Sequence, residues 1–357
     1  DGTVTKSFGY TNPSWPDLLT SVTANGTTKD VLYEGQSQTS DLPSSGNPIT
    51  YYNGKDYTFT WTKGRQLASA TVDGKQVSYT YDMSGVRSGK QVYTTSNQRT
   101  TTYTYTTLSG KVMRQQWETR NSDDTVYQAM QSLEFVYDDG NQPFAMIYKH
   151  GQTTELYYYV LNAQGDVIAL LNANGALVAS YNYGAWGNYS VHGADGKKTT
   201  DPTFIGHINP LRYRGYVYDW ETGFYYLQSR YYDPTIGRFL NADGYASTGQ
   251  GIIGHNTYTY CLNNPINNFD SLGEFTLSVV LGAAIGGAIA GAFIGTVSHL
   301  ISSGINGTSV TASSLINAAA TGAITGAIGA VGGAIGGTVA VFASFAVGIF
   351  SGTVTAI

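Results

Sequence analysis

The sequence predicts a mainly β protein that ends in helices, and three observations predict it. Tyr (29) and Gly (44) are both over-used in the 357 residues, which favours strands joined by many tight turns. Asn-Gly and Asp-Gly dipeptides recur between short runs of alternating character. That is hairpin grammar, because a type I′ turn needs φ > 0 at both central residues. From Phe275 to Ile357, by contrast, there is no Asp, Glu, Lys or Arg, and apolar residues recur every four positions, as on one helix face.

Composition narrows the function classes. The length permits two or three domains. Net charge is −5 and charged residues make up 12%, well below the usual quarter of a soluble domain. No basic excess points to nucleic acid. The single Cys261 cannot form an internal disulfide, which suits an extracellular protein that avoids cysteine and equally a cytosolic one. The chain has no start Met and opens in mid-pattern, so it reads as part of something longer.

Taken in order, residues 1–34 carry weak strand signals broken by Asn12-Pro13, Trp15-Pro16 and Asn25-Gly26. Asp41 to Pro48 is a Ser/Gly/Pro loop. Ile49–Tyr52 then leads through Asn53-Gly54 to Asp56–Trp61, and Asp73-Gly74 joins Leu67–Val72 to Gln76–Tyr81. Tyr81-Asp82 and Tyr137-Asp138 have a plain physical reading. Tyr ends a strand with a half-buried ring, and Asp opens the turn by accepting a bond from a backbone N–H two residues on. Strands are expected near 132–138, 144–149, 154–161, 166–172 and 176–183, a continuous meander. Their uneven lengths argue against a propeller or strict solenoid. Gly187 to Thr203 is polar and is expected as a surface loop and a boundary.

The most ordered stretch follows. It reads Pro210-Leu211-Arg212-Tyr213-Arg214-Gly215-Tyr216, Tyr218-Asp219, and Gly223-Phe224-Tyr225-Tyr226-Leu227-Gln228-Ser229-Arg230-Tyr231-Tyr232-Asp233-Pro234. After it come Gly237-Arg238-Phe239-Leu240-Asn241-Ala242-Asp243-Gly244, Asn263-Asn264-Pro265 and Asp270-Ser271-Leu272-Gly273. It resembles the core domain of RHS/YD-repeat proteins, and its Asn241–Gly244 and Ser247–Gly251 phrases are similar to Gram-positive versions. The resemblance implies a spiral β-sheet cage plugged by this core, with a variable effector behind it. Residues 1–203 would then be a YD-repeat shell section, 204–274 the core plug, and 275–357 an α-helical glycine-zipper hairpin. The shell would be a hollow wall whose tyrosine-rich inner face holds a passenger.

Asp243 and Asp270 are the candidate catalytic pair. Two aspartates held together cannot both ionise cheaply, so one keeps a proton and the pair can activate water against a peptide bond. The resemblance implies aspartyl autocleavage just after a motif similar to Pro-x4-Asp-Pro-x-Gly-Leu. Pro265, Asp270 and Gly273 match it; Ser271 stands in place of Pro and Glu274 in place of Leu, so the cleavage region is Gly273–Glu274. The alternative is that both aspartates are turn residues. Arg238 is the expected orienting arginine, through a bidentate bond; Arg212, Arg214 and Arg230 are expected as framework residues stacking on tyrosines or holding carbonyls. The five His residues show no ligand spacing, so neither metal nor cofactor is proposed. Cys261, in an apolar setting, is expected to be a buried, inert thiol.

The tail carries large residues at Ile285, Ile289, Phe293, Val297 and Ile301, with Gly287, Gly291 and Gly295 on a second face. Ile324, Ile328, Val331, Ile335, Val339 and Phe342 repeat the pattern beside Gly329, Gly333 and Gly337, with a turn over Gly304–Ser314 between the two. Leu277 to Val297 is an uncharged run of about 20 residues, the length of a membrane-spanning helix, and small-xxx-small spacing pairs helices in membranes. The tail therefore inserts into a target membrane or packs beside the shell before a toxin. The expected function is a secreted, surface or cell-wall toxin of the polymorphic type for competition between bacteria. Its partners would be its own effector region and an immunity protein. The alternative is a surface adhesin that stacks glycans on Trp15, Trp61, Trp117, Trp186 and Trp220.

Overall fold

The structure is a computed structural model that describes residues 6–36, 43–244, 256–270, 273, 277–278, 295–296, 298–300, 303 and 309–335. It divides into two units. The first comprises residues 1–266 with 270–276, and the second residues 267–269 with 277–357.

A small N-terminal sheet comes first: β1 (Ser7–Gly9), β2 (Ser21–Ala24) and β3 (Thr27–Asp30). Fifteen further strands, β4 (Leu32–Tyr33) through β18 (Lys198–Thr199), form one antiparallel sheet in which each strand pairs with its neighbour in sequence. The YD turn makes this possible. Asp82 Oδ1 accepts from the N–H of Ser84 at 2.8 Å and of Val86 at 3.0 Å, while Gly85 takes the left-handed position at φ +85°. Asn162 and Asn172 repeat the device, each accepting from the N–H groups two and four residues on. Closing the turn with a side chain leaves few strand-end groups unsatisfied.

The expected meander is present as Val126–Tyr137, Pro143–His150, Thr153–Leu161, Val167–Asn172 and Leu177–Tyr183, strands β12 to β16. The expected loop over 187–203 is a correction, because β17 (Tyr189–Gly193) and β18 continue the wall there. Only Val191 of β17 is buried, so the alternation carries a single apolar residue and is hard to see in the sequence.

The plug is a four-stranded sheet: β19 (Val217–Asp219), β20 (Phe224–Tyr226), β21 (Tyr231–Asp233) and β22 (Arg238–Phe239). Every residue of β20 and β21 is buried. Three tyrosines clasp the β16–β17 turn from below: Tyr213 OH donates to Ala185 O, Tyr232 OH to Trp186 O and Tyr225 OH to Gly187 O, at 2.8 to 2.9 Å. Wall and plug share their cores. Phe224, Tyr226, Tyr231, Leu240 and Tyr258 pack with Tyr51, Phe59, Leu67 and Val92 of the wall. Ile205, in a short helix α1 (Ile205–Ile208), and Leu211 pack with Leu133, Met146, Leu170 and Val191. The tyrosine-rich face expected to line a hollow is thus filled by the plug's own rings along this section, because those rings bury more apolar area together than facing water.

In the second unit β23 (Asn268–Phe269) pairs with β24 (Leu277–Ser278). The first two residues of the expected spanning run are therefore strand, and most of that run lies outside the described residues. Helix α2 (Ala312–Ile335) begins inside the expected turn. A reciprocal cap starts it: Thr311 Oγ1 accepts from Ser314 N–H at 3.2 Å, and Ser314 Oγ accepts from Thr311 N–H at 3.1 Å, which satisfies two otherwise orphaned donors. A Cβ on Gly295 would collide with Ala318 O and stand 3.0 Å from Gly322 Cα. Two helical backbones approach there through glycine, one at Gly295 of the expected 287–291–295 stripe and the other at Gly322. Among the described residues no helix is long and apolar enough to cross a membrane.

Candidate active site

Arg230 organises the site. It stands at the tight β20–β21 turn, where Gln228 takes φ +62° and Leu227 N–H donates to Arg230 O at 2.9 Å. Its guanidinium lies 3.6 Å from the Phe239 ring centroid, and all three nitrogens are engaged. Nε donates to Gly273 O, and Nη1 to Thr257 O at 2.9 Å. Nη2 meets Asp243 Oδ2 at 2.8 Å and Asp270 Oδ2 at 3.7 Å. All three side chains are 2 to 4% exposed.

Each aspartate is fixed by its own backbone neighbours. Asp243 N–H donates to Thr257 O at 2.8 Å, the same carbonyl that Arg230 uses. Asp270 Oδ1 accepts from Gly273 N–H at 2.7 Å, and Tyr216 OH donates to Asp270 O at 2.6 Å. Tyr216 OH lies 3.2 Å from Tyr260 OH, so Tyr260 braces the tyrosine that holds the Asp270 backbone. Gly273 sits at φ +74°, and a Cβ there would stand 2.8 Å from Leu227 O and from Ser229 Oγ. Only glycine fits, both conformationally and sterically.

The structure thus brings Asp243 and Asp270 onto one cation and seats Gly273 beside them. The arrangement offers a carboxylate able to take a proton, a second able to return one, and a fixed cation on a main-chain carbonyl. Glu274 lies outside the described residues.

Arg238 does not join them, and its expected orienting role is a correction. It donates to Tyr10 OH at 2.9 Å and Asp17 O at 3.1 Å and lies 4.5 Å from the Tyr258 ring. Its strand, β22, pairs with β21 and points it toward the N-terminal segment, whereas the turn that presents Arg230 faces Asp270. Arg212 lies between the rings of Tyr189 (4.3 Å) and Tyr218 (4.6 Å) and bonds Asn209 O and His207 O. Arg214 holds Gln164 O and Pro265 O. Sequence reasoning placed Arg230 among the framework arginines; what sets it apart is the fold, which turns it toward Asp270 and Arg238 toward Tyr10.

A second charged cluster was also missed. Arg87 and Lys90 of β9 (Arg87–Thr94) meet Asp219, and Lys90 also meets Glu221 at 2.7 Å, all at most 4% exposed. Among the described residues no group of three His, Cys, Asp or Glu is placed to hold a metal. Cys261 is buried, and burial pushes its thiol up to about 12. Trp117 stacks between Tyr103 and Tyr148, and Trp61 donates to Pro48 O. Of the five tryptophans only Trp220, at 50%, is widely exposed.

Fold and site together define a β-sheet wall closed by a tyrosine-rich plug of the RHS/YD-repeat class. The teneurin YD-shell family model matches residues 44–266, more than half of the chain, and the chain belongs to that family. The tRNA nuclease WapA of Bacillus subtilis (strain 168) is 33% identical over 227 residues, covering 63% of this chain and 9% of WapA. Toxin subunit YenC1 of Yersinia entomophaga is 28% identical over 220 residues, covering 58% of this chain and 21% of YenC1. The chain thus spans about a tenth of WapA and a fifth of YenC1. Among solved structures, the Photorhabdus luminescens Tc holotoxin pore aligns with a TM-score of 0.54 at 21% identity, over 76% of this chain and 13% of that one, a likeness of fold.

Proposed function

We propose that this chain is the carrying section of a secreted or surface toxin of the polymorphic type, used between bacteria. Wall and plug present residues 275–357 as the effector region or the connector to one, and an immunity protein in the producing cell would protect it. The plug cuts the chain within one residue of Gly273, at Glu274. The observation that carries the cleavage is the shared guanidinium: Asp243 and Asp270 both reach Arg230 Nη2, while Arg230 Nε holds Gly273 O.

In this reading one carboxylate takes a proton from water as the water oxygen attacks the main-chain carbonyl. The other carboxyl gives a proton to the departing nitrogen, and the products are a new carboxyl terminus and a new amine. Arg230 stabilises the oxyanion that forms between. That the relatives are a tRNA nuclease, WapA, and a toxin subunit, YenC1, supports an effector beyond the plug.

The test is the intact mass of the purified full-length chain. Two fragments parted just beyond Gly273 are expected from the wild type, and a single chain from Asp243→Asn and from Asp270→Asn. One uncut wild-type chain would remove the protease from this reading, as would cutting that survives both substitutions. Toxicity of residues 275–357 expressed alone, and vesicle leakage caused by them, test the effector separately.

A further inference from the structure

Arg214 and Tyr216 stand on one tight turn, residues 212–216, and that turn meets the segment 265–270 at both of its ends. Arg214 Nη2 donates to Pro265 O. Tyr216 OH donates to Asp270 O at 2.6 Å and accepts from Asp270 N–H at 3.3 Å. The wall adds a third contact: Gln164 Nε2, in the turn between β14 and β15, donates to Ile266 O at 2.5 Å. All of these bonds fall on main-chain atoms of the segment. The turn in its own right is fixed to the wall. Asp166 Oδ1 accepts from Arg214 N–H at 2.9 Å, and Arg212 O accepts from Val167 N–H at 3.1 Å. Asp166 is buried, and its Oδ2 takes the Asn162 amide at 2.7 Å. Arg214 and Gly215 take φ +56° and +70°, which reverses the chain and brings Tyr216 round to Asp270.

We propose that Tyr216 is a positioning residue for the cleavage: its hydroxyl sets where Asp270 stands relative to Arg230, and the wall, through Asp166 and the 212–216 turn, sets Tyr216. This rests on the cleavage reading and gives the wall a part in it. One oxygen that grips both the N–H and the C=O of a residue fixes how that residue is rotated, and so where its side chain leaves the backbone. Asp270 needs this more than its partner does. Asp243 Oδ2 lies at hydrogen-bond distance from Arg230 Nη2, 2.8 Å, whereas Asp270 Oδ2 lies at 3.7 Å, a separation that a small backbone rotation changes. The Tyr216 ring is buried, with centroids 6.3 Å from Tyr225 and 6.5 Å from Tyr260, so the hydroxyl is held from behind. Burial also pushes its phenol well above the ordinary range, which keeps it a neutral donor from acid to neutral pH. It acts through Asp270 and takes no proton in the reaction.

The experiment follows full-length chains after cell-free synthesis and measures the cleaved fraction against time from acid to neutral pH. Tyr216→Phe keeps the ring and removes the hydroxyl. It is expected to slow cleavage at least about tenfold and to move the pH of half-maximal rate, a value that belongs to the carboxylate pair as a unit and depends on its spacing. Tyr260→Phe loses a hydroxyl that braces the first, and is expected to stay within about threefold with the profile in place. Asp166→Ala frees the turn and is expected to move rate and profile as Tyr216→Phe does. Amide exchange in the uncut Asp243→Asn background separates local loosening from misfolding: Tyr216→Phe and Asp166→Ala speed exchange at Asp270 and Gly273 and leave Tyr225 and Tyr232 of the plug sheet protected. Tyr216→Phe cut at the wild-type rate overturns the positioning role, as does a slowing shared equally by Tyr260→Phe with the profile unmoved. Asp166→Ala cut like the wild type overturns the part given to the wall. A wild type that is never cut overturns the cleavage reading, and this role with it, a result distinct from a wild type and a Tyr216→Phe chain that are cut equally fast.

Discussion

Arg87 Nη1 donates to Asp219 Oδ2 across the boundary between wall and plug, with both side chains about 1% exposed. Lys90 and Glu221 complete two cations and two carboxylates, and the rings of Tyr79, Tyr105 and Tyr226 lie 4.4 to 5.5 Å from the Arg87 guanidinium. Buried charges of this kind fix register more than they add stability, but breaking one strands the others. Asp219→Asn leaves two buried cations facing one carboxylate and is expected to cost about 3–5 kcal/mol, measured by urea unfolding of the full chain.

The same residue gives a pH dependence. Burial alone would raise the Asp219 carboxyl, but Arg87 and Lys90 outweigh it and hold it below its ordinary value of 3.8. A folded-state pKa below the unfolded one means a contribution complete above the unfolded value, lost as the pH falls through the folded one. The stability gap between wild type and Asp219→Asn is therefore expected to stay level from about pH 7 to pH 5 and to close below about pH 4. A gap that instead widens on acidification would mean that Asp219 is not held ionised.

Gly237 presses on the β16–β17 turn of the wall. It sits at φ +73°, and a Cβ would stand 2.8 Å from Trp186 Cε3. Gly196, at φ +75°, has nothing within 4 Å of its Cβ position. Gly196→Ala is expected to cost only the left-handed penalty of about 1–2 kcal/mol. Gly237→Ala adds ring displacement of about 1–3 kcal/mol. The difference between their denaturation midpoints isolates the contact between plug and wall.

Local chemistry made the wall legible. Asx-turn residues and period-two alternation lie within ten residues of each other, so the strands from Pro48 to Tyr81 and those of the meander from Ser132 to Tyr183 follow from the sequence, whereas Arg87–Thr94, Arg99–Leu108 and Lys111–Arg120 were not singled out. Strand β17 was obscure because its burial comes from one valine and from the plug behind it. The proximity of Asp243 and Asp270 is long-range, and only the resemblance suggested it. Nothing local separates Arg230 from Arg238, since each stands beside aromatic residues; which turn faces Asp270 decides between them. The Arg87–Asp219 pairing spans wall and plug, and no local pattern encodes such a match.

Cys261 gives a simple probe of plug integrity. It is fully buried against Tyr213, Tyr216 and Tyr260, and burial lifts its thiol to about 12. The thiolate is the reactive form. The folded chain is expected to be inert to an aromatic disulfide reagent at pH 8 and to release one equivalent on unfolding. Rapid labelling of the folded chain would mean that the plug opens readily.

Arg230 and Arg238 are separable by conservative substitution. Arg230→Lys keeps the charge but loses the planar fork that reaches Gly273 O, Thr257 O and both carboxylates together. Losing one pre-placed oxyanion donor commonly costs about a hundredfold or more in rate, so cleavage near Gly273 is expected to slow by at least that factor. Arg238→Lys disturbs Tyr10 OH and Asp17 O instead and is expected to leave the rate within about twofold while lowering stability by about 1 kcal/mol. The cleaved fraction against time reads the first effect and urea unfolding the second. Equal losses of rate in both variants would show that the arginines act through folding alone, with no part for the Arg230 fork in the chemistry.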